Sequence, residues 1–244
     1  LVMNNMISFI KQLSGRLSPS LYTSIGNQTD AASIAFLRQL QRELKREDVL
    51  GVPFSDLKVV VFDIETTGFY PQKGDRILSI GAVKVVGSKI IENETYYSLV
   101  YSDSEPSEQI VKLTGITKEH LEIAPSIEVV LKEFYQFISN DTLVAHHASH
   151  EKAFMEHVNW SILKSYFQHR IIDTSFLTKI VRPEHDLLSL DDCCTHYGIE
   201  IDQRHHALFD AIAAAKLWSK NITFIQEMGF CDLNDVYGYL AKLK

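Results

Sequence analysis

At 244 residues the chain is long enough for one large domain, or for one domain with an appendage. Its 45% hydrophobic and 23% charged residues are an ordinary soluble composition, and no run approaches the ~18–20 apolar residues that span a bilayer. The formal charge of −7 argues against a protein that coats nucleic acid through a broad basic surface. It leaves room for a small site with a local positive rim.

Residues 1–10 lack the basic region, apolar core and cleavage site of a secretory signal. The cysteines, Cys193, Cys194 and Cys231, have no Cys-x-x-Cys spacing, and neighbouring cysteines are poorly placed to bridge each other. Reduced thiols and a cytoplasmic location are therefore expected.

Residues 1–26 show no clear period. From Thr29, a plausible N-cap, to Asp48, the apolar positions Ile34, Leu37, Leu40 and Leu44 form one helical stripe. The basic and acidic residues beside it read as a solvated face with i,i+4 pairs. The stripe is expected to pack on the rest of the chain or on a partner. Gly51-Val52-Pro53 breaks that helix and divides a 1–52 helical extension from a 53–244 domain.

Val59-Val60-Val61-Phe62 then reads as a buried strand. Arg76–Val86 and Lys89–Leu99 are β-rich and joined by Gly87-Ser88, a two-residue hairpin turn. An amphipathic helix is predicted over Pro125–Ile138, with Ile127, Val130, Leu131, Phe134 and Ile138 on one face. Short strands follow at Thr142–Ala145 and Ile171–Asp173, then helices over Ser189–His196 and His206–Lys220. Hairpin strands followed by strands alternating with helices predict an α/β fold, a mixed sheet flanked by helices.

Three segments carry chemistry. Asp63-Ile64-Glu65-Thr66-Thr67-Gly68 sits on the end of the first strand, where residues two apart share a face. Asp63 and Glu65 therefore aim two carboxylates at one point, and their repulsion calls for a cation between them. Hard oxygen ligands suit Mg²⁺ or Mn²⁺. The second segment is Ala145-His146-His147-Ala148-Ser149-His150-Glu151-Lys152-Ala153-Phe154. The third is His205-His206-Ala207-Leu208-Phe209-Asp210-Ala211. Five residues on an α-helix turn through about 500°, so His205 and Asp210 would point apart if both were helical. They converge only if His205 lies in the approach to the helix and Asp210 within it.

In this order and spacing the segments resemble the DEDDh, or DnaQ-like, family of 3′→5′ exonucleases, which includes proofreading subunits of bacterial replicative polymerases. The first matches D-x-E-T-T-G and the last H-x-A-L-x-D-A; Thr114-Gly115-Ile116-Thr117 and Ala124-Pro125 match familiar spacers. The resemblance covers roughly residues 57–220 and implies a ribonuclease H-like fold. It also implies two divalent cations, Mg²⁺ or Mn²⁺, and release of nucleoside 5′-monophosphates from 3′ ends of single-stranded DNA. By the resemblance Asp63 would bridge both ions, with Glu65 and Asp210 completing the shell on the nucleophile side. Glu151 would act at the other ion, and His205 would be the general base in preference to His206. Thr66, Thr67, Gly68 and Phe69 would line the floor for the terminal nucleotide.

The middle block departs from A-H-N-A-x-F-D-x-x-F: His147 stands at the usual Asn, His150 at the usual Phe and Glu151 at the usual Asp. Asp173 is the rival fourth acid, although its place in Ile-Ile-Asp-Thr resembles the family's structural Asp. RNA is the alternative substrate, and a catalytically weak nucleic-acid or polymerase-binding module the alternative function. A polymerase or repair partner is compatible with the resemblance, and no membrane role is expected. The segment 221–244 shows no clamp-binding peptide of the Gln-x-x-Leu/Phe type, which favours a stand-alone nuclease over a dedicated replicase subunit.

Overall fold

In the computed structural model, which describes residues 49–185 and 187–242, the first apolar run extends from Lys58 to Thr66 as β1. The helix predicted at Thr29–Asp48 lies outside the described residues. Val49, Leu50 and Val52, at the near end of the predicted extension, pack against the main core. β2 (Ile77–Val86) and β3 (Lys89–Leu99) form the expected hairpin. Gly87 in its turn has φ +61, a left-handed conformation that glycine adopts without strain.

With β4 (Thr142–Ala145) and β5 (Ile171–Asp173) the sheet order is β3-β2-β1-β4-β5. The first three strands pair antiparallel, and β1–β4 and β4–β5 pair parallel. The helices predicted at Pro125–Ile138, Ser189–His196 and His206–Lys220 are α3 (Ile127–Ile138), α6 (Leu190–Tyr197) and α7 (Ala207–Glu227). Among the described residues five further helices escape the sequence reading: α1 (Glu108–Thr114), α2 (Lys118–Glu122), α4 (Ser149–Leu163), α5 (Thr174–Val181) and α8 (Leu233–Lys242).

Alternation along β1 decides where the chemistry falls. Val60, Phe62 and Ile64 belong to the core that α3 closes with Val130, Leu131 and Phe134. Val59 and Val61 belong to the opposite core, closed by Ala213, Ala214, Leu217 and Trp218 of α7. Each buried Val, Ile, Leu or Phe among them contributes about 1.5–3 kcal/mol, so packing fixes the strand on both faces. Asp63 and Glu65 continue the α7-facing row beyond its last apolar member. Trp218 ties the helix to the hairpin by donating its indole N–H to the Gly87 carbonyl at 3.1 Å.

The start of α7 comes unusually close to the sheet. Gly81 pairs with Asp63 across the β1–β2 ladder. A Cβ there would lie 2.2 Å from the backbone of Ala207 and Leu208. Glycine thus lets the first turn of α7 rest on the strand beside Asp63. Gly81→Ala is expected to cost about 1–3 kcal/mol in chemical denaturation, the usual range for overpacking. An unaltered denaturation midpoint would mean that the helix start is free to move aside.

Candidate active site

β1 delivers Asp63, half-buried, and Glu65, only 8% exposed, at its carboxyl end. The β1–β2 register shifts between Glu65 and Thr66, and the chain turns out of the sheet. Thr66 donates its hydroxyl hydrogen to the Gly68 carbonyl at 2.7 Å. Asp75 accepts from the Thr67 hydroxyl at 3.2 Å and from the Tyr70 N–H at 2.8 Å. A Cβ on Gly68 would meet the Asp75 carboxylate at 2.5 Å, so glycine leaves room for that carboxylate to brace the turn. Phe69 (77% exposed) and Tyr70 (56% exposed) stand out from this turn, with the Lys73 ammonium 4.3 Å from the Tyr70 ring centroid.

The middle block spans the end of β4 and the start of α4. His147 has φ +59 and marks the turn between them, and Glu151 sits in the first turn of α4. Glu151 is 4% exposed, and its Oε2 has no hydrogen-bond partner. Asp173, the rival acid, is otherwise engaged. Its Oδ1 accepts from the N–H groups of His147 (3.2 Å) and Ser175 (2.8 Å), and its Oδ2 from that of Ala148 (3.1 Å). It caps α5 and clamps the turn that aims α4. His150, at the position of the family's Phe, places Nε2 3.3 Å from Thr66 Oγ1 and its ring edge-on to Phe69 at 5.7 Å. Because the Thr66 hydrogen goes to Gly68, His150 Nε2 is the donor in that contact.

The third block resolves the spacing problem. His205 precedes the helix at φ +60, His206 is its N-cap, and Asp210 lies in the first turn. The left-handed bend turns the His205 N–H onto Asp210 Oδ2 at 3.0 Å. Glu65, His205 and Asp210 each bring one ligand-type atom within 4.8 Å of the others. His206 faces elsewhere, its ring stacked on Tyr97 at 4.4 Å and against Phe209 at 4.8 Å.

Burial and crowding dominate the electrostatics. Asp63 is raised well above the usual carboxylate range by burial, then by the charges of Glu151, Glu65 and Asp210. Burial, then Asp210, pushes Glu65 up to about 8. Burial likewise raises Glu151, with Asp173 and Glu65 adding to it, and brings Asp210 to about 6. His205 is lowered, by burial first and then by Arg204, so its imidazole is neutral near pH 7.

Glu65 and Asp210 cluster with His205, the charges of Asp63 and Glu151 act on the same group, and Glu151 Oε2 and Asp210 Oδ1 are buried without a partner. Such a donor set fits hard divalent cations. Two residues here have no signature in the sequence. Gly81 is legible only once α7 is seen to press on it. Arg204, directly before His205, bridges Asp191 and Asp210.

The family model RNase_T, described as Exonuclease, matches residues 60–218. The PolC-type DNA polymerase III of Staphylococcus aureus is 33% identical over 198 residues, which are 81% of this chain and 13% of that protein. The chain thus spans only 13% of the length of the curated relatives it matches. Exonuclease X, solved in complex with 5′ overhanging duplex DNA, aligns with 71% of this chain and 93% of its own at TM-score 0.54 and 23% identity. The nuclease domain of 3′hExo, a DEDDh family member bound to rAMP, aligns with 68% of this chain and 92% of its own at TM-score 0.59 and 16% identity.

The chain belongs to this exonuclease family. Its five-stranded mixed sheet flanked by helices is the ribonuclease H-like fold of DEDDh exonucleases.

Proposed function

We propose that this chain is a divalent-metal-dependent 3′→5′ exonuclease that releases nucleoside 5′-monophosphates from single-stranded DNA. The observation that carries the reading is the clustering of Glu65, His205 and Asp210 at the carboxyl end of β1, the central strand, with Asp63 and Glu151 in electrostatic reach of the cluster. Two Mg²⁺ or Mn²⁺ ions, when bound, would supply an activated nucleophile and charge stabilisation for phosphodiester cleavage. Asp63, Glu65 and Asp210 would hold the ion on the nucleophile side, and Asp63 and Glu151 the other. Neutral His205, on its bent approach to α7, takes the proton from the attacking water. Thr66, Thr67 and Gly68 allow the terminal nucleotide close to the backbone, and exposed Phe69 offers a ring for a base to stack on.

DNA is favoured as the substrate because the relative at 33% identity is a DNA polymerase. That relative also favours a polymerase as the partner. Free Cys193, Cys194 and Cys231 suit a reducing cytoplasm. Among the described residues no helix is long and apolar enough to cross a membrane.

The testing experiment uses 3′- and 5′-labelled single-stranded DNA, duplex DNA and RNA, with Mg²⁺, Mn²⁺ or EDTA. Stepwise shortening of single-stranded DNA from its 3′ end, dependent on metal, is the expected result. Preferred degradation of RNA would move the substrate, and cleavage in EDTA would remove the metal mechanism.

His205→Ala is expected to lower kcat by about 10²–10⁴-fold, the range for loss of a general base. Mn²⁺ affinity, read by calorimetry, should change far less. His206→Ala removes the stack on Tyr97, so its effect belongs in melting temperature more than in kcat. A larger kcat loss for His206→Ala would exchange their roles.

A further inference from the structure

Arg204 holds two acids at once. Its Nε and Nη2 engage Asp191 Oδ1 and Oδ2 at 2.7 and 3.0 Å, a two-point pairing of a planar guanidinium with a carboxylate. The remaining nitrogen, Nη1, reaches Asp210 Oδ2 at 2.5 Å. Asp191 is presented by the first turn of α6, whose start is fixed by the Ser189–Asp192 capping box. Asp210 is 3% exposed and Arg204 about a third exposed, so one end of the guanidinium enters the acid cluster while the other stays at the rim.

The charge acts beyond the contact. Arg204 opposes the upward shifts of Asp63, Glu65 and Asp210. Four carboxylates crowded at one point need positive charge, and among the described residues Arg204 is the cation that ion-pairs with one of them. It does so at Asp210, an acid the proposed function assigns to a metal ion.

We propose that Arg204, pre-organised by Asp191, is an internal counter-ion of the acid cluster that competes with divalent metal for Asp210. It is a positioning residue: it stabilises the metal-free protein and weakens metal binding. Asp191 gives the guanidinium its place and orientation, so the ion pair at the rim tunes the centre inside. This inference rests on the reading that the acid cluster takes divalent ions.

The test is calorimetric titration of Mn²⁺ alone into the full chain, with melting curves in EDTA. Arg204→Gln is expected to bind Mn²⁺ roughly tenfold more tightly, the size of a partly screened charge effect, and to melt lower in EDTA. Asp191→Asn should shift both in the same direction by less. The double variant should lie close to Arg204→Gln alone, because Asp191 acts chiefly through Arg204 and its own charge is the smallest influence on Asp210. A merely structural role would weaken Mn²⁺ binding along with stability. Unchanged or weaker binding by Arg204→Gln, while wild type binds Mn²⁺, would overturn the competition. If Arg204→Gln does not fold, unchanged or weaker binding by Asp191→Asn would do so. A folded wild type that takes up no Mn²⁺ would instead sink the metal reading itself.

Discussion

Asp63→Asn is expected to reduce nuclease activity to background while raising the melting temperature measured in EDTA. Asp63 faces Glu151, Glu65 and Asp210, so removing its charge empties the middle of the proposed metal centre. The same removal relieves repulsion in the metal-free protein, by an amount worth roughly 2–6 °C for a chain of this size. The pH dependence follows from the shifts. Carboxylates raised in the fold, with Glu65 at about 8, stabilise the folded state below their unfolded values. They lose that contribution as pH rises through the folded value. Buried His146 and His169, pushed down to about 4, cost stability only as pH falls below their unfolded value of about 6.5. Lowered His150, His205 and His206 act in the same sense as those two, so the acids dominate the slope only between about pH 7 and 8, where wild type in EDTA should melt lower at the higher pH. Asp63→Asn should flatten that slope, and saturating Mn²⁺ should abolish it in wild type. An active Asp63→Asn, or one that melts lower in EDTA, would contradict the assignment.

Glu151→Ala and Asp173→Ala should fail in different ways. Glu151 has a buried carboxylate oxygen with no partner, so its replacement should remove activity and leave the fold stable. Glu151→Asp should keep much of the activity, because both acids can hold a hydrated ion and differ by one methylene. Asp173 accepts three backbone N–H bonds, and Asp173→Ala should cost about 2–4 kcal/mol of stability. Turnover and urea denaturation of the three variants separate these outcomes. A stable but inactive Asp173→Ala beside a fully active Glu151→Ala would make Asp173 the fourth acid.

The elements legible in the sequence are those with a strong local pattern. β1 is a run of β-branched and aromatic residues ending in charge, and α3 carries an unbroken apolar stripe. α4 carries Phe154, Met155, Val158, Ile162 and Leu163 at helical spacing, but its first turns are polar and exposed Trp160 interrupts the pattern, which weakens the stripe. Its first turn nevertheless carries Glu151. α8 escaped because only Leu233 and Val236 are buried along it. The acids and His205 could be named from motif order, but their convergence depends on strand parity and on the parallel pairing of β4 with β1. Arg204 was illegible for a different reason. Its partner Asp191 lies 13 residues earlier on α6, and nothing in the intervening chain announces the pairing.

Anomalous scattering from crystals soaked in Mn²⁺ addresses the central claim most directly. The expected result is two peaks about 4 Å apart, the spacing of two-metal centres, ringed by oxygens of Asp63, Glu65, Glu151 and Asp210. An absence of peaks among these carboxylates in well-soaked crystals, or peaks held by other residues, would contradict it.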